Sequence, residues 1–118
     1  MNTMIYTHCK PALLLDTVGG DREVFLELAE IFVRESTECL AHLTSAAQAG
    51  NIVQMGYQSH SLKGTVGPLG ANTLTAMLFA IEEECSRKEC VCDKQRLARI
   101  LTELQQVNRE MQHYIAHL

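Results

Sequence analysis

The histidine at position 60 stands in the segment whose residue types best fit a chemical role. Lys63 follows His60 by three residues, and the glycines Gly64 and Gly67 follow it by four and seven. On a helix these four residues share one face. A neutral imidazole has an unprotonated ring nitrogen that can attack phosphorus, and a lysine beside it can hold phosphoryl oxygens through charge-assisted hydrogen bonds. The pattern therefore predicts that His60 accepts a phosphoryl group and that Lys63 stabilises it.

The glycines around His60 require an explanation, because glycine inside a helix costs about 1 kcal/mol relative to alanine. Gly56, Gly64 and Gly67 all fall on one predicted helix. Without a Cβ one turn away, the imidazole is open to a phosphoryl group and to a partner surface that comes close. We expect Gly64 to permit this approach, and we expect Tyr57 and Gly67 to contact the partner on the same face.

Other residues whose side chains could take part in chemistry form weaker patterns. Four further histidines lack a Lys-Gly context and are expected to be structural or solvated: His8, His42, His113 and His117. Glu82, Glu83 and Glu84 are adjacent and point in different directions on a helix, so we interpret them as a solvated face without catalysis. A second cluster, of cysteines, has a spacing that matches no standard zinc or redox arrangement: Cys85, Cys90 and Cys92. The sequence therefore predicts no metal site and no cofactor.

Apolar residues recur at steps of three and four in four long segments, which is typical of amphipathic helices. We expect these helices at about residues 21–49, 51–66, 72–85 and 97–115, after a short helix that starts at Pro11 and ends at Gly19-Gly20. Asp21, Asn51 and Asn72 are suitable N-caps. Since no helix can bury its apolar stripe alone, the sequence predicts an all-α fold, an antiparallel four-helix bundle with a short additional N-terminal helix.

The apolar stripes also predict the core. Their positions are Phe25, Leu28, Ala29, Phe32, Ser36, Cys39, Leu40, Leu43, Ile52, Met55, Ser59, Leu62, Val66, Leu74, Met77, Leu78, Ile81, Cys85, Leu97, Ile100, Leu101, Leu104, Val107, Met111, Tyr114 and Ile115. The stripe of the second long helix leaves His60 on another face, so this histidine should be exposed. Pro68 lacks an N–H, and we expect the segment 67–70 to interrupt or tighten the end of that helix.

The bulk composition narrows the classes of function. The 118 residues carry a net charge of −4, unlike the concentrated basic face of nucleic-acid-binding proteins. No apolar run approaches the roughly 20 residues of a membrane span, and no export signal is evident. Five cysteines without an export signal should remain thiols in a reducing compartment. We expect one cytoplasmic domain over residues 1–118, monomeric and without nucleic-acid or membrane partners.

Four short motifs make the chain resemble a known family. They are V-G-G-D at 18–21, A-G-N at 49–51, H-S-L-K-G at 60–64 and L-G-A at 69–71. In order and spacing they resemble the landmarks of histidine-containing phosphotransfer (HPt) domains, and the likeness covers about residues 12–118. Two segments depart from the family pattern: Gly67-Pro68 stands where small or polar helix formers are usual, and residues 87–94 form a longer turn rich in cysteine.

The resemblance implies roles for the residues around the histidine. His60 would take a phosphoryl group from a receiver aspartate and pass it to another, Lys63 would support the group, and Gly64 would allow close approach. The partners implied are the receiver domains of response regulators and a hybrid sensor histidine kinase. Any magnesium would belong to the receiver, since this chain offers no acidic cluster near His60.

Other functions start from the same residues. A helical adaptor or inhibitory module would use this face for docking alone, although an intact His60 and Lys63 argue against it. A metal or thiol switch on Cys85, Cys90 and Cys92 would show stoichiometric metal that is lost when they are mutated. A kinase is disfavoured because the sequence has no G-x-x-x-x-G-K nucleotide loop and no length for an ATP-binding domain.

Overall fold

The computed structural model describes residues 5–90 and 92–118, and these form five α-helices. The helices are α1 (Pro11–Thr17), α2 (Arg22–Gln48), α3 (Ile52–Val66), α4 (Asn72–Ser86) and α5 (Lys94–Ala116). A 3₁₀ turn, Gly67–Leu69, joins α3 to α4. Helices α2 to α5 form an antiparallel bundle in which α3 packs most extensively on α2 and α4, and α1 lies against the 3₁₀ turn, α2 and α5. The predicted all-α bundle with a short first helix is confirmed.

Two of the expected helix caps are present. The Asp21 carboxylate accepts a hydrogen bond from the Val24 N–H at 3.1 Å, and the Asn51 side chain accepts one from the Gln54 N–H at 3.1 Å. Each satisfies an N–H that the first turn of a helix leaves without a partner. Gly50, between α2 and α3, adopts the left-handed φ of +66° that favours glycine after a helix.

The cap predicted at Asn72 is wrong. Asn72 is already the first residue of α4, and Ala71 occupies the cap position with no side chain that can accept a hydrogen bond. A cap not predicted from the sequence begins α5, where the Asp93 carboxylate accepts from the Arg96 N–H at 2.8 Å. A cap prediction can err by one residue because helix ends depend on the preceding turn.

The turn between α3 and α4 tightens as expected and fixes how α4 returns along α3. Gly70 has φ +68°, and its N–H donates to the Gly67 carbonyl at 2.9 Å. The Leu69 carbonyl accepts from the Lys10 N–H at 2.7 Å, which ties the turn to the segment before α1. A Cβ at Gly70 would lie only 2.9 Å from the Lys10 Cβ, so both its backbone angle and its surroundings require glycine.

The core follows the predicted stripes with one clear exception. The largest fully buried side chains of the long helices are Phe25, Leu43, Leu62, Leu74, Leu78, Ile81, Ile100 and Met111. Leu101 was expected in the core but is 44% exposed. It lines an open groove with Leu40 and Leu97, where α5 packs less closely on α2 than α3 does. The apolar stripe of α5 is therefore wider than the surface its neighbours cover.

A buried glutamate attaches the N-terminal segment to α5. Glu110 is only 3% exposed, and its carboxylate accepts hydrogen bonds from the backbone N–H groups of Thr7, His8 and Cys9 at 3.1, 2.9 and 3.1 Å. Burial opposes its ionisation, but the N–H groups, that of His8 first, outweigh burial and lower the pKa of Glu110. His8 also contacts Glu103 through Nδ1 at 2.7 Å, which fits the structural role expected of it.

Candidate functional site

One carboxylate joins the two side chains that the sequence analysis singled out. His60 and Lys63 lie on consecutive turns of α3, and Glu82 reaches them from α4. The Glu82 Oε2 atom is 2.6 Å from His60 Nδ1, and Oε1 is 2.7 Å from Lys63 Nζ. The His60 side chain is 72% exposed, whereas those of Lys63 and Glu82 are 23% and 24% exposed. The exposure predicted for His60 is therefore confirmed. The ion pair of Lys63 and Glu82 beside it is more buried than the histidine.

The glutamate distinguishes the two ring nitrogens of His60. The pKa of Glu82 is lowered, and the hydrogen bond from Lys63 is the largest cause. Burial acts in the opposite direction, and the hydrogen bond with His60 lowers the pKa further. An ionised carboxylate only accepts hydrogen bonds, so Nδ1 of His60 must be the donor. In the neutral imidazole the other nitrogen, Nε2, is then the one with the free lone pair, and it has no hydrogen-bond partner in the described part of the chain. The contact with Glu82 therefore leaves Nε2 as the ring nitrogen of His60 that faces no protein partner among the described residues.

The interpretation of the glutamate triplet as a solvated face is wrong for two of its members. Glu82 holds His60 and Lys63, and Glu84 forms a pair of hydrogen bonds with Arg96 at 2.7 and 2.6 Å. Successive residues of a helix point in different directions. Glu82 therefore faces α3, Glu84 faces α5, and only Glu83 is an exposed residue of the kind expected.

The glycines near His60 differ in what requires them. A Cβ at Gly56 would lie 3.2 Å from the Cys85 Cβ, so Gly56 allows α3 and α4 to approach each other closely. Apart from the neighbouring residues and backbone of its own helix, a Cβ at Gly64 or Gly67 would meet no atom of the described residues within 4 Å, and neither has a positive φ. Internal packing therefore does not require glycine at positions 64 and 67.

Exposed aromatic side chains lie on both helices of the site. Tyr57 is 63% exposed on α3, one turn before His60, and Phe79 is 49% exposed on α4, one turn before Glu82. The Phe79 ring lies under the Lys63 ammonium, with Nζ 5.1 Å from the ring centroid. Phe79 is not among the site residues predicted from the sequence. A signal was present, because Phe79 is a large apolar residue that falls outside the stripe of Leu74, Leu78 and Ile81.

The remaining histidines have partners other than the residues around His60 or are exposed. His113 Nδ1 is 2.9 Å from the Tyr6 hydroxyl, and His117 Nδ1 is 2.8 Å from the His113 carbonyl. The His113 and His117 rings stack with centroids 4.2 Å apart. His42 is exposed on α2. These arrangements agree with the structural or solvated roles expected of them.

The cysteine cluster lies at the end of α4 and in the loop that follows. Cys85 is buried, and Cys90 and Cys92 are partly buried against the core. Burial, followed by a hydrogen bond with Cys90, raises the pKa of Cys85 to about 12, so it is a thiol near neutral pH. Within residues 5–90 and 92–118, no group of three or more His, Cys, Asp or Glu side chains is arranged to hold a metal ion. The same residues include no helix long and apolar enough to cross a membrane.

Comparisons with known proteins agree with this geometry. The family model described as the Hpt domain matches residues 27–110, which is more than half of the chain. The fold is similar to the crystal structure of histidine-containing phosphotransfer protein B (HptB) from Pseudomonas aeruginosa PAO1, with a TM-score of 0.85 and 23% sequence identity. That similarity covers 97% of this chain and 99% of the other. No curated protein matches the sequence.

Proposed function

Because this chain belongs to the Hpt domain family, the histidine phosphotransfer carriers of two-component signalling, we propose that it carries the phosphoryl group on Nε2 of His60. In this proposal a receiver domain donates the group from its aspartyl phosphate, and a second receiver aspartate removes it. The partners are the receiver domains of response regulators and a hybrid sensor histidine kinase. The single observation that carries the site assignment is the contact of Glu82 with both His60 and Lys63.

The transfer step follows from the positions of these three side chains. The Nε2 lone pair attacks phosphorus in line with the bond to the leaving aspartate oxygen, so that a P–N bond forms as a P–O bond breaks. The aspartate leaves as a carboxylate, and the imidazole becomes a positively charged phosphoimidazolium. Glu82, already hydrogen-bonded to Nδ1, stabilises that positive charge. No separate base is needed, because Nε2 carries no proton to remove.

Lys63 stabilises the transferred phosphoryl group in this proposal. Its ammonium lies one helical turn from the histidine and is held by Glu82 at 2.7 Å. A phosphoryl group on Nε2 brings negative oxygens to the same surface, where a lysine can share its hydrogen bonds between the carboxylate and those oxygens. Glu82 and Lys63 therefore complement the two charges of the adduct, the imidazolium and the phosphoryl group.

The partner surface is the face of α3 and α4 around His60. Gly64 and Gly67 leave open space beside His60, while Tyr57 presents exposed aromatic area. Aromatic residues commonly supply much of the affinity of an interface, and a transient relay requires only a small one. We propose that a receiver domain docks on this face and that the protein acts as a single cytoplasmic domain, as a monomer.

The test is transfer from a phosphorylated receiver domain, with Mg²⁺ present for the receiver. The wild-type protein should become labelled, and His60→Gln should remove the label without loss of helicity, because the nucleophile is gone. His42→Gln is the matched control, since His42 is an exposed histidine on the neighbouring helix. The label should withstand alkali and be lost in acid, as a P–N bond is. An equally acid-labile label on His60→Gln would reject the site, and an unlabelled wild type would favour the adaptor hypothesis.

A further inference from the structure

Phe79 occupies an unusual position for a large apolar side chain. It lies on α4 outside the buried stripe and is 49% exposed, although burying a phenylalanine is worth about 1.5–3 kcal/mol. Its ring is not simply solvated, because the Lys63 ammonium lies 5.1 Å from the ring centroid. This distance is within the roughly 6 Å over which the negative face of an aromatic ring attracts a cation.

Lys63 has two contacts that hold its ammonium. The Glu82 carboxylate accepts its hydrogen bond at 2.7 Å, the Phe79 ring lies 5.1 Å from Nζ, and the lysine side chain is only 23% exposed. Lysine side chains more often extend their charged end into water. The two contacts differ in kind. A hydrogen bond to Glu82 is directional, whereas attraction to an aromatic face allows the ammonium to move across the ring.

We propose that Phe79 is a positioning residue for phosphotransfer, which holds the Lys63 ammonium beside His60 while its hydrogen bonds are shared between Glu82 and the incoming phosphoryl oxygens. The inference rests on the proposed function of His60. It assigns Phe79 an action through Lys63, independent of any contact with a receiver domain. Without the ring, Lys63 can extend into solvent and is less often in place when phosphorus reaches Nε2.

The experiment compares Phe79→Leu, which keeps an apolar side chain but removes the aromatic face, with Phe79→Tyr, which keeps that face. Each variant is phosphorylated in two ways, by a phosphorylated receiver domain and by phosphoramidate, a small donor that needs no docking surface. The rates are measured again in a Lys63→Ala background. Leu101→Ala serves as a control for the loss of an exposed apolar side chain remote from the site.

We expect Phe79→Leu to slow phosphorylation by both donors about two- to fivefold, the range that an exposed cation–π contact supports, and Phe79→Tyr to restore the wild-type rate. In the Lys63→Ala background the Phe79→Leu substitution should have no further effect, since the residue through which it acts is missing. The upfield ring-current shift of the Lys63 Hε protons should disappear in Phe79→Leu.

Three results would overturn the proposal. If Phe79→Leu slows phosphorylation by the receiver but not by phosphoramidate, Phe79 is a docking contact. If the effects of the Phe79 and Lys63 substitutions are additive, the two residues act separately. If Phe79→Tyr does not restore the rate, the aromatic face is not what holds Lys63. These results differ from failure of the proposed function, in which neither donor labels His60 of the wild type at all.

Discussion

Two glutamates of this protein, Glu82 and Glu110, are both held ionised by hydrogen bonds yet serve different ends. Glu110 is enclosed and accepts three backbone N–H groups, which attach residues 7–9 to α5. Glu82 lies at an open surface and accepts from two side chains, His60 and Lys63. Backbone donors are fixed by the fold, whereas side-chain donors can move. From this difference we infer a role in stability for Glu110 and propose a role in reactivity for Glu82.

Among variants that keep His60, the largest effect on the rate of transfer should come from filling the open surface beside His60 and Lys63. Gly64→Leu places a bulky side chain where a Cβ meets no atom of the described residues within 4 Å, so the fold should tolerate it. Displacing the receiver by an ångström or more should slow transfer about a hundredfold. The measurement is the rate of phosphotransfer from a receiver domain, with thermal unfolding as the check on stability. Gly64→Ala is the graded control and should raise stability by up to about 1 kcal/mol. Normal transfer to Gly64→Leu would refute the access argument.

Removing the buried carboxylate should affect stability alone. Glu110→Ala leaves three backbone N–H groups without an acceptor, and we expect it to lower the free energy of unfolding by about 3 kcal/mol. Urea titration at neutral pH measures this loss. Under conditions where the variant remains folded, His60 should be phosphorylated at the wild-type rate. A strong loss of transfer in the folded variant would show that the two regions are coupled.

Removing the Glu82 carboxylate should instead slow transfer with little loss of stability. In Glu82→Ala, Nδ1 of His60 loses its acceptor and the phosphoimidazolium loses its counter-charge, so transfer should slow by about ten- to thirtyfold, or roughly 1.4–2 kcal/mol. Glu83→Ala is the matched control, because Glu83 is adjacent in sequence and its side chain is 50% exposed. Stability should change by less than about 1 kcal/mol, since the pairs are surface ones. An unchanged rate in Glu82→Ala would remove Glu82 from the site.

Lys63→Ala should have a smaller effect, because it withdraws charge from an adduct that can still form. We expect slower transfer or a shorter adduct lifetime by about tenfold, which corresponds to about 1.4 kcal/mol. Following the decay of the isolated phosphoprotein separates lifetime from the rate of acceptance. If neither quantity changes, the contact between Lys63 and Glu82 is only a surface ion pair.

The dependence of stability on pH should sharpen the comparison further. The pKa of Glu110 is lowered from its ordinary value of 4.5 by backbone donors, against the effect of burial. A group with a lowered folded pKa contributes stability that is present above its unfolded pKa and is lost as the pH falls through the folded value. The protein should therefore lose stability on acidification below about pH 4.5, and Glu110→Gln should show a shallower loss. Urea titrations over this range measure both slopes, and identical slopes would contradict the role given to Glu110.

The sequence predicts the bundle because its evidence is local. Helical periodicity, the caps at Asp21 and Asn51, and the glycines of the turns are all set by neighbouring residues. His60, Lys63 and Gly64 are also within one short segment, and the family resemblance supplies their expected roles. Leu101 shows the limit of this approach, because periodicity predicts an apolar face but cannot say how much of it a neighbouring helix covers.

Glu82 and Phe79, which were not predicted as members of the site, lie on α4, across the turn from His60 and Lys63. Their positions relative to that turn could have identified them. In an antiparallel pair of helices, residues equally distant from the turn lie opposite each other. His60 and Glu82 are each eleven residues from Ala71, and Lys63 and Phe79 are each eight residues from it. Glu110 offers a weaker signal, a charged residue between the stripe positions Val107 and Met111. Its partners are about 100 residues away, so only the folded structure reveals what it binds.

The most direct test of the central claim is the ¹⁵N spectrum of the His60 imidazole, recorded through long-range proton couplings before and after phosphorylation by a receiver domain. Before transfer, at alkaline pH, we predict a protonated Nδ1 and an unprotonated Nε2, because Glu82 accepts from Nδ1. After transfer, Nε2 should show the coupling to phosphorus while Nδ1 keeps its proton. Phosphorus on Nδ1, or on a histidine other than His60, would contradict the account.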